Sequence, residues 1–243
     1  MLGGKVALRI EDSKTESGTA GFDERMQDDL HWLGLDWDGP ILRQSQQVGQ
    51  YMAAGNHLRD QGLLYPCFCT DAEVAATSPG PAPDGSPLYA GTCKHLDRGD
   101  IITRLESGDA VQFRLDAEAA IARAGMLTYS AVAPLITDRP QIRYARPEIW
   151  GDTVLQAQGT PSSPRLRTVI DDAAQGITHV FVDRAMAAEA DIQTLLQTML
   201  GLPSPVYAFR RVLADDPHNQ HKTLAELRAA GWTRADIRRS VGL

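Results

Sequence analysis

The sequence predicts an α/β protein with a parallel sheet, interrupted by an inserted α+β module that carries a metal site. Three observations predict it. Two strand-like runs, residues 5–10 and 167–170, each close on a pair of acids, Glu11-Asp12 and Asp171-Asp172, the form taken by a buried strand that delivers carboxylates at its end. Helical patterns lie between and after such runs, the alternation that builds a parallel sheet. The text between them changes character and holds all three cysteines, Cys67, Cys69 and Cys93.

Taken in order, Lys5-Val6-Ala7-Leu8-Arg9-Ile10 is short and apolar without a helical period, which predicts the first strand. Residues 21–35 place Phe22, Met26, Leu30 and Leu33 in a helical rhythm, and Gly34 sits where such a helix stops. Leu33-Gly34-Leu35-Asp36-Trp37-Asp38-Gly39-Pro40 reads as a turn-rich exit. Residues 46–61 form a second helix closed by Gly62, and Leu63-Leu64-Tyr65 leads into the cysteines. The loop from Ser78 to Pro87 is too rich in proline and glycine for helix or ladder. A strand over 110–115 and an alanine-rich stretch over 116–124 complete the inserted module. Residues 167–172 and 176–182 then predict two further strands, and 187–200 a helix ending at Gly201. Two short helices close the chain, the second with Thr233 as its N-cap. There is no internal repeat. The expected division is therefore residues 1–64 as the first part of the α/β domain, 65–150 as the inserted module that carries the cysteines, and 151–243 as the second part with a short helical tail.

With 243 residues, 43% hydrophobic and 23% charged, the chain has the composition of an ordinary globular protein, so its function must come from sites. No run approaches the roughly 18 apolar residues of a membrane helix, and the start lacks the apolar core of a signal peptide. A cytoplasmic protein without membrane contact is expected, and a monomer. A net charge of −7 argues against a general nucleic-acid coat, because phosphate binding rests on lysine and arginine. The tail gathers Arg210, Arg211, Arg228, Arg234, Arg238 and Arg239, read as a solvated helix face.

Three clustered cysteines leave one over if a disulfide forms, so a metal explains the odd count better. Structural zinc takes four ligands in a tetrahedron, and three thiolates need one more donor. Tyr89 and His95 are the candidates, imidazole being the commoner ligand. Among the other conspicuous residues, Asp171 and Asp172 either face a ligand cleft or cap the next turn. His179 reads as a core histidine, Trp32, Trp37 and Trp150 as packing residues, and Arg9 as the partner of an acid.

Together, Leu8-Arg9-Ile10-Glu11-Asp12, the Leu33–Pro40 phrase, Gln44-Ser45, Tyr65-Pro66-Cys67-Phe68-Cys69, Tyr89-Ala90-Gly91-Thr92-Cys93, the stretch from Asp171 to Val180 and Arg234–Arg239 resemble, in order and over nearly the whole chain, the glutamyl-queuosine tRNA(Asp) synthetases. Those proteins are truncated relatives of class I glutamyl-tRNA synthetases. The resemblance implies a Rossmann-like class I catalytic domain with a zinc-bearing insertion and no anticodon-binding domain. It implies ATP-dependent activation of glutamate, with Mg, and transfer to queuosine of tRNA(Asp). It implies Cys67, Cys69, Tyr89 and Cys93 as zinc ligands, which favours Tyr89 over His95, and Glu11 as the carboxylate that holds the amino group of glutamate.

The chain also departs from the family pattern. A His-Ile-Gly-His-like ATP motif is expected upstream of the segment that begins at Met1, so the catalytic domain is expected to be incomplete. A tyrosine of the family aligns with Pro164, and the arginine that clamps the glutamate carboxylate aligns with Val182, with Arg184 two residues on. An aspartate and an arginine align with Lys14 and Ser17, and of the Lys-x-Ser-Lys loop only Lys222 is left. Each lost charge-stabilising donor costs roughly 3 kcal/mol in such chemistry. Two functions follow, an active ligase of this type, or a catalytically silent paralogue that binds tRNA or a protein through its zinc module.

Overall fold

Helix α1 (Phe22–Leu33) ends where the sequence puts its glycine: Gly34 takes φ 78° and ψ 31°, and its N–H turns back to the carbonyls of Leu30 and His31. The computed structural model describes residues 3–12, 21–132, 139–157, 159–160, 162–210 and 223–240. It divides into two units, residues 1–46 with 211–243, and residues 47–210.

In the first unit, β1 (Arg9–Ile10) pairs in parallel with β2 (Leu42–Arg43), Arg9 opposite Leu42. The strand expected over residues 5–10 is thus a two-residue ladder, because its partner turns into a 3-10 helix at Gln44 and offers nothing further to pair with. Val6 is tied instead by Asp38, whose carboxylate accepts its N–H at 2.9 Å. The tail forms α8 (Leu224–Ala229) and α9 (Arg234–Ser240), and Thr233 accepts from and donates to Asp236 as an N-cap. Two tail arginines do not form a free basic face. Arg228 pairs with Asp29 at 3.0 Å and lies over the Trp32 ring. Arg234 Nε donates to the Trp32 carbonyl at 2.9 Å, a cation at the negative end of α1.

The described residues of the second unit hold two sheets. One is antiparallel, ordered β3 (Leu64–Cys67), β4 (Gln112–Leu115), β7 (Val154–Ala157), with Cys67 opposite Gln112. The other is ordered β6 (Gln141–Tyr144), β5 (Thr128–Val132), β9 (Val206–Arg210), β8 (His179–Asp183), parallel except for β6. Their core joins α2 (Val48–Asp60), α5 (Ala117–Ala124), α6 (Pro164–Ala174) and α7 (Glu189–Leu200) through Tyr51, Leu58, Leu115, Leu155, Leu166, Ile192 and Leu195, all at most 0% exposed. Among the described residues no helix is long and apolar enough to cross a membrane.

Residues 167–172, expected as a strand, belong to α6. Ser163 caps the helix by accepting from the Leu166 N–H, Pro164 occupies its first turn, and Leu166, Val169 and Ile170 recur at the i, i+3, i+4 spacing of one helical face. The β-branched pair Val169-Ile170 gave the run its strand appearance, and the cap outweighs it. Asp171 therefore faces the core, neither a ligand cleft nor a turn. It is 1% exposed and accepts a hydrogen bond from the Tyr51 hydroxyl at 2.7 Å. Asp172 is also buried. Tyr51→Phe removes a donor to a buried carboxylate, and the expected loss is about 2 kcal/mol by urea titration; an unchanged midpoint would show that the bond contributes nothing. His179, expected in the core, is exposed at the start of edge strand β8. Trp150 is 4% exposed, and Trp37 stacks on His31 with ring centres 4.6 Å apart.

The proline-rich loop keeps to turns, with the Leu88 N–H bonded to the Gly80 carbonyl at 2.9 Å and the Ala82 N–H to that of Ser86 at 2.7 Å. Arg165 holds it to the helices. Its guanidinium meets Asp84 at 2.6 Å and Glu189 at 3.0 Å, and lies 4.0 Å above the Trp150 ring.

Candidate metal centre

Four donors converge at one end of the antiparallel sheet. Cys67 is the last residue of β3, and Cys69 follows two residues later, just before α3 (Asp71–Thr77). The position of Cys69 is fixed by a capping box, in which Thr70 accepts from the Glu73 N–H while the Glu73 carboxylate accepts from the Thr70 N–H. The chain returns after the proline-rich loop with Tyr89, turns at Gly91 with φ 84°, and brings Cys93 back. A side chain at Gly91 would force that left-handed turn into strain.

The three sulfurs lie within 4.8 Å of one another, with Cys69 and Cys93 3.5 Å apart. Tyr89 Oη stands 3.3 Å from Cys67 Sγ and 3.5 Å from Cys69 Sγ, and accepts the Cys93 N–H at 2.7 Å. A tetrahedral zinc with sulfur arms of about 2.3 Å spaces its sulfurs about 3.8 Å apart. The donor set fits that ion in number, softness and spacing. Cys67, Tyr89 and Cys93 are buried, with Val74, in a small cluster separate from the main core. His95 is exposed and stands outside the group of metal-binding donors.

Electrostatics differ across the set. Burial opposes the Cys67 thiolate, and bonds with Tyr89, Arg114 and the Cys69 backbone outweigh it, bringing the thiol down to about 7. Burial and the neighbouring thiols push Cys69 up to about 11 and raise the Tyr89 phenol as well. Arg114 on β4 donates from Nε to Cys67 Sγ at 3.2 Å. Beside it, Lys94 reaches Asp116 at 3.0 Å and Asp152 at 3.3 Å, while the Tyr65 hydroxyl donates to Asp152 at 2.7 Å. Lys94 is held above its ordinary value, since the two carboxylates outweigh its burial. Asp116 is held below its own: burial raises it, but the Ala119 N–H and Lys94 more than compensate.

A folded value below the unfolded one means that Asp116 contributes stability above the ordinary carboxylate range, and that this is lost as pH falls through the lowered value. Asp116→Asn is expected to flatten the acid limb of the stability profile. A variant whose acid limb parallels the parent would remove Asp116 from that account.

These supporting residues were not foreseen. Arg114 carries a sequence signal, a lone charge in the apolar strand Val111-Gln112-Phe113-Arg114-Leu115, but its partner is 47 residues away. Asp152 has no such signal. It acts through a β3 tyrosine, a turn lysine and the first N–H of α5, which only the fold brings together.

The remaining expected residues lie elsewhere. Glu11 follows β1 in the first unit, with its side chain 60% exposed and its carboxylate 3.7 Å from Arg9. Asp12 accepts from both the N–H and hydroxyl of Ser45, at 2.8 and 2.7 Å. Lys222, with Lys14 and Ser17, lies outside the described residues. Val182 on β8 is partly buried against the cluster that contains Tyr129, Tyr207 and Phe209, and Arg184 is exposed in the 3-10 turn that follows.

Comparison with known proteins sets the class. The family described as tRNA synthetases class I (E and Q), catalytic domain, matches residues 1–225. The fold agrees, because glutamate–tRNA ligase structures from Elizabethkingia meningosepticum and Elizabethkingia anophelis superpose with TM-scores of 0.65 and 0.67 at 19% identity, over 95% of this chain and 47% and 48% of theirs. Within the class, the glutamyl-Q tRNA(Asp) synthetase of Rhodobacter capsulatus is 36% identical over 99% of this chain and 89% of its own length. That of Nocardia farcinica is 36% identical over 85% of this chain and 61% of its own length. The glutamate–tRNA ligase 1 of Methylococcus capsulatus is 30% identical over 95% of this chain, which spans about half, 51%, of that relative. The chain belongs to the glutamyl-Q tRNA(Asp) synthetase-like family of class I synthetase catalytic domains.

Proposed function

We propose that this chain acts on glutamate, ATP with Mg, and tRNA(Asp), activating the amino acid and transferring it to queuosine. The observation that carries the reading is the match to a glutamyl-Q tRNA(Asp) synthetase along 99% of the chain. It is supported by the convergence of Cys67, Cys69, Tyr89 and Cys93, the residues that would hold a structural zinc ion. That ion supplies no chemistry to the transfer; it fixes the fold of the inserted module, residues 65–150, between the two parts of the catalytic domain, residues 1–64 and 151–243. Glu11 is the residue of this chain proposed to meet the amino group of glutamate, and its exposed carboxylate leaves it accessible. Lys222 is proposed to meet the phosphates.

The experiment is glutamate-dependent ATP–pyrophosphate exchange on zinc-loaded protein, with and without tRNA(Asp) containing queuosine. Exchange above that of Glu11→Ala supports the ligase. A specific observation favours a second reading, a silent paralogue that binds tRNA or protein: Val182 is committed to the aromatic cluster, and Pro164 to the first turn of α6, where the resemblance implies an arginine that clamps the glutamate carboxylate and a tyrosine. Absence of exchange from folded, zinc-loaded protein selects that reading, and so does a Val182→Arg variant that remains inert.

A further inference from the structure

Arg114 is a buried cation, 7% exposed, with no carboxylate within ion-pair distance among the described residues. Its donors go elsewhere. Nε meets Cys67 Sγ at 3.2 Å, Nη1 meets the Asp152 carbonyl at 3.0 Å, and the guanidinium lies 3.9 Å above the centre of the Tyr89 ring. A buried charge requires a counter-charge, and stranding one is costly. The neighbouring cation, Lys94, is already taken up by Asp116 and Asp152. The charged group that Arg114 touches directly is the cysteine set, through Cys67 Sγ. Three thiolates around a divalent ion would carry one net negative charge, and a tyrosinate a second, which a guanidinium beside them would offset in part.

We propose that Arg114 is the positioning residue of the metal centre: its guanidinium partly offsets the charge of the thiolate set and, stacked on Tyr89, holds the phenol oxygen toward the three sulfurs. This rests on the metal reading above. Arginine suits both tasks, since its planar fork donates in two directions while its face stacks on an aromatic ring. Partners behind the ligands of a metal fix ligand orientation, and their loss typically lowers metal affinity 10- to 100-fold.

The test uses the full chain as the parent, Arg114→Met and Arg114→Lys, with folding followed by circular dichroism. Zinc affinity is read by competition with a chromophoric chelator. Cobalt(II) is substituted to read the thiolate-to-metal charge-transfer band, which reports the ligand set. The expected result is a zinc affinity about 100-fold weaker in Arg114→Met and about 10-fold weaker in Arg114→Lys, with an altered cobalt band in both. Lysine keeps the charge but cannot reach the sulfur, the carbonyl and the ring face together. If Arg114→Met does not fold, Arg114→Lys decides alone. Parental zinc affinity and cobalt band in a folded variant overturn the proposal, even if that variant melts earlier. A parent that binds neither metal overturns the metal reading itself, a separately recognised outcome.

Discussion

One zinc ion per chain is the expected content of the purified protein, and Cys69→Ser is expected to lose it and to loosen the segment from β3 to Cys93. The reason is the size of the satellite core. Cys67, Val74, Tyr89 and Cys93 are its buried members, too few to hold a long proline-rich excursion on apolar burial alone. A structural zinc contributes on the order of 10 kcal/mol, comparable with the net stability of a whole domain. Hydrogen exchange with and without a chelator checks this. Metal removal is expected to speed exchange in β3, α3 and the Gly91 turn while leaving α2, α6 and α7 protected by the main core. Metal-free protein with unchanged protection throughout would sink the prediction.

Arg165→Ala carries the second largest expected effect, a loss of about 3 kcal/mol. The substitution leaves the Glu189 and Asp84 carboxylates without their shared cation and bares the Trp150 face on which the guanidinium lies. Arg165 and Glu189 are both mostly buried, with side chains 18% and 14% exposed, so water does not readily replace the lost partner. Chemical denaturation of Arg165→Ala beside Asp84→Ala separates the contributions. Asp84→Ala alone should cost less, since the Glu189 pair survives. A cost below about 0.5 kcal/mol for Arg165→Ala would place the triad among surface ion pairs that add nothing measurable.

The legible parts of the fold were those governed by local rules. The limits of α1, α2 and α7 follow from apolar spacing and from a stop at Gly34, Gly62 or Gly201, all of which have positive φ. The Ala110–Leu115 run held because its neighbours β3 and β7 pair with it on both sides. The misreading of residues 167–172 has a local remedy: Ser163-Pro164 is a helix-start signal, and it outranks two β-branched residues in the turn that follows. The cysteines were visible because of their rarity. Arg114 and Asp152 were not, because their roles depend on cross-strand register and on a backbone carbonyl, neither of which composition or spacing encodes. The first strand was overestimated because strand length is set by the partner, and β2 is two residues long.

The docking of the tail on α1 bears on how the chain is made. Asp29 finds Arg228 across 199 positions, and Trp32 finds Arg234 across 202. On a ribosome adding roughly 5–20 residues per second, that separation is a wait of about 10–40 s. Residues 47–210 contain their own core, and its members lie within that span. The opening segment does not: the Trp32 face stays bare, exposed to chaperones and proteases, until the last helices of the chain arrive to cover it.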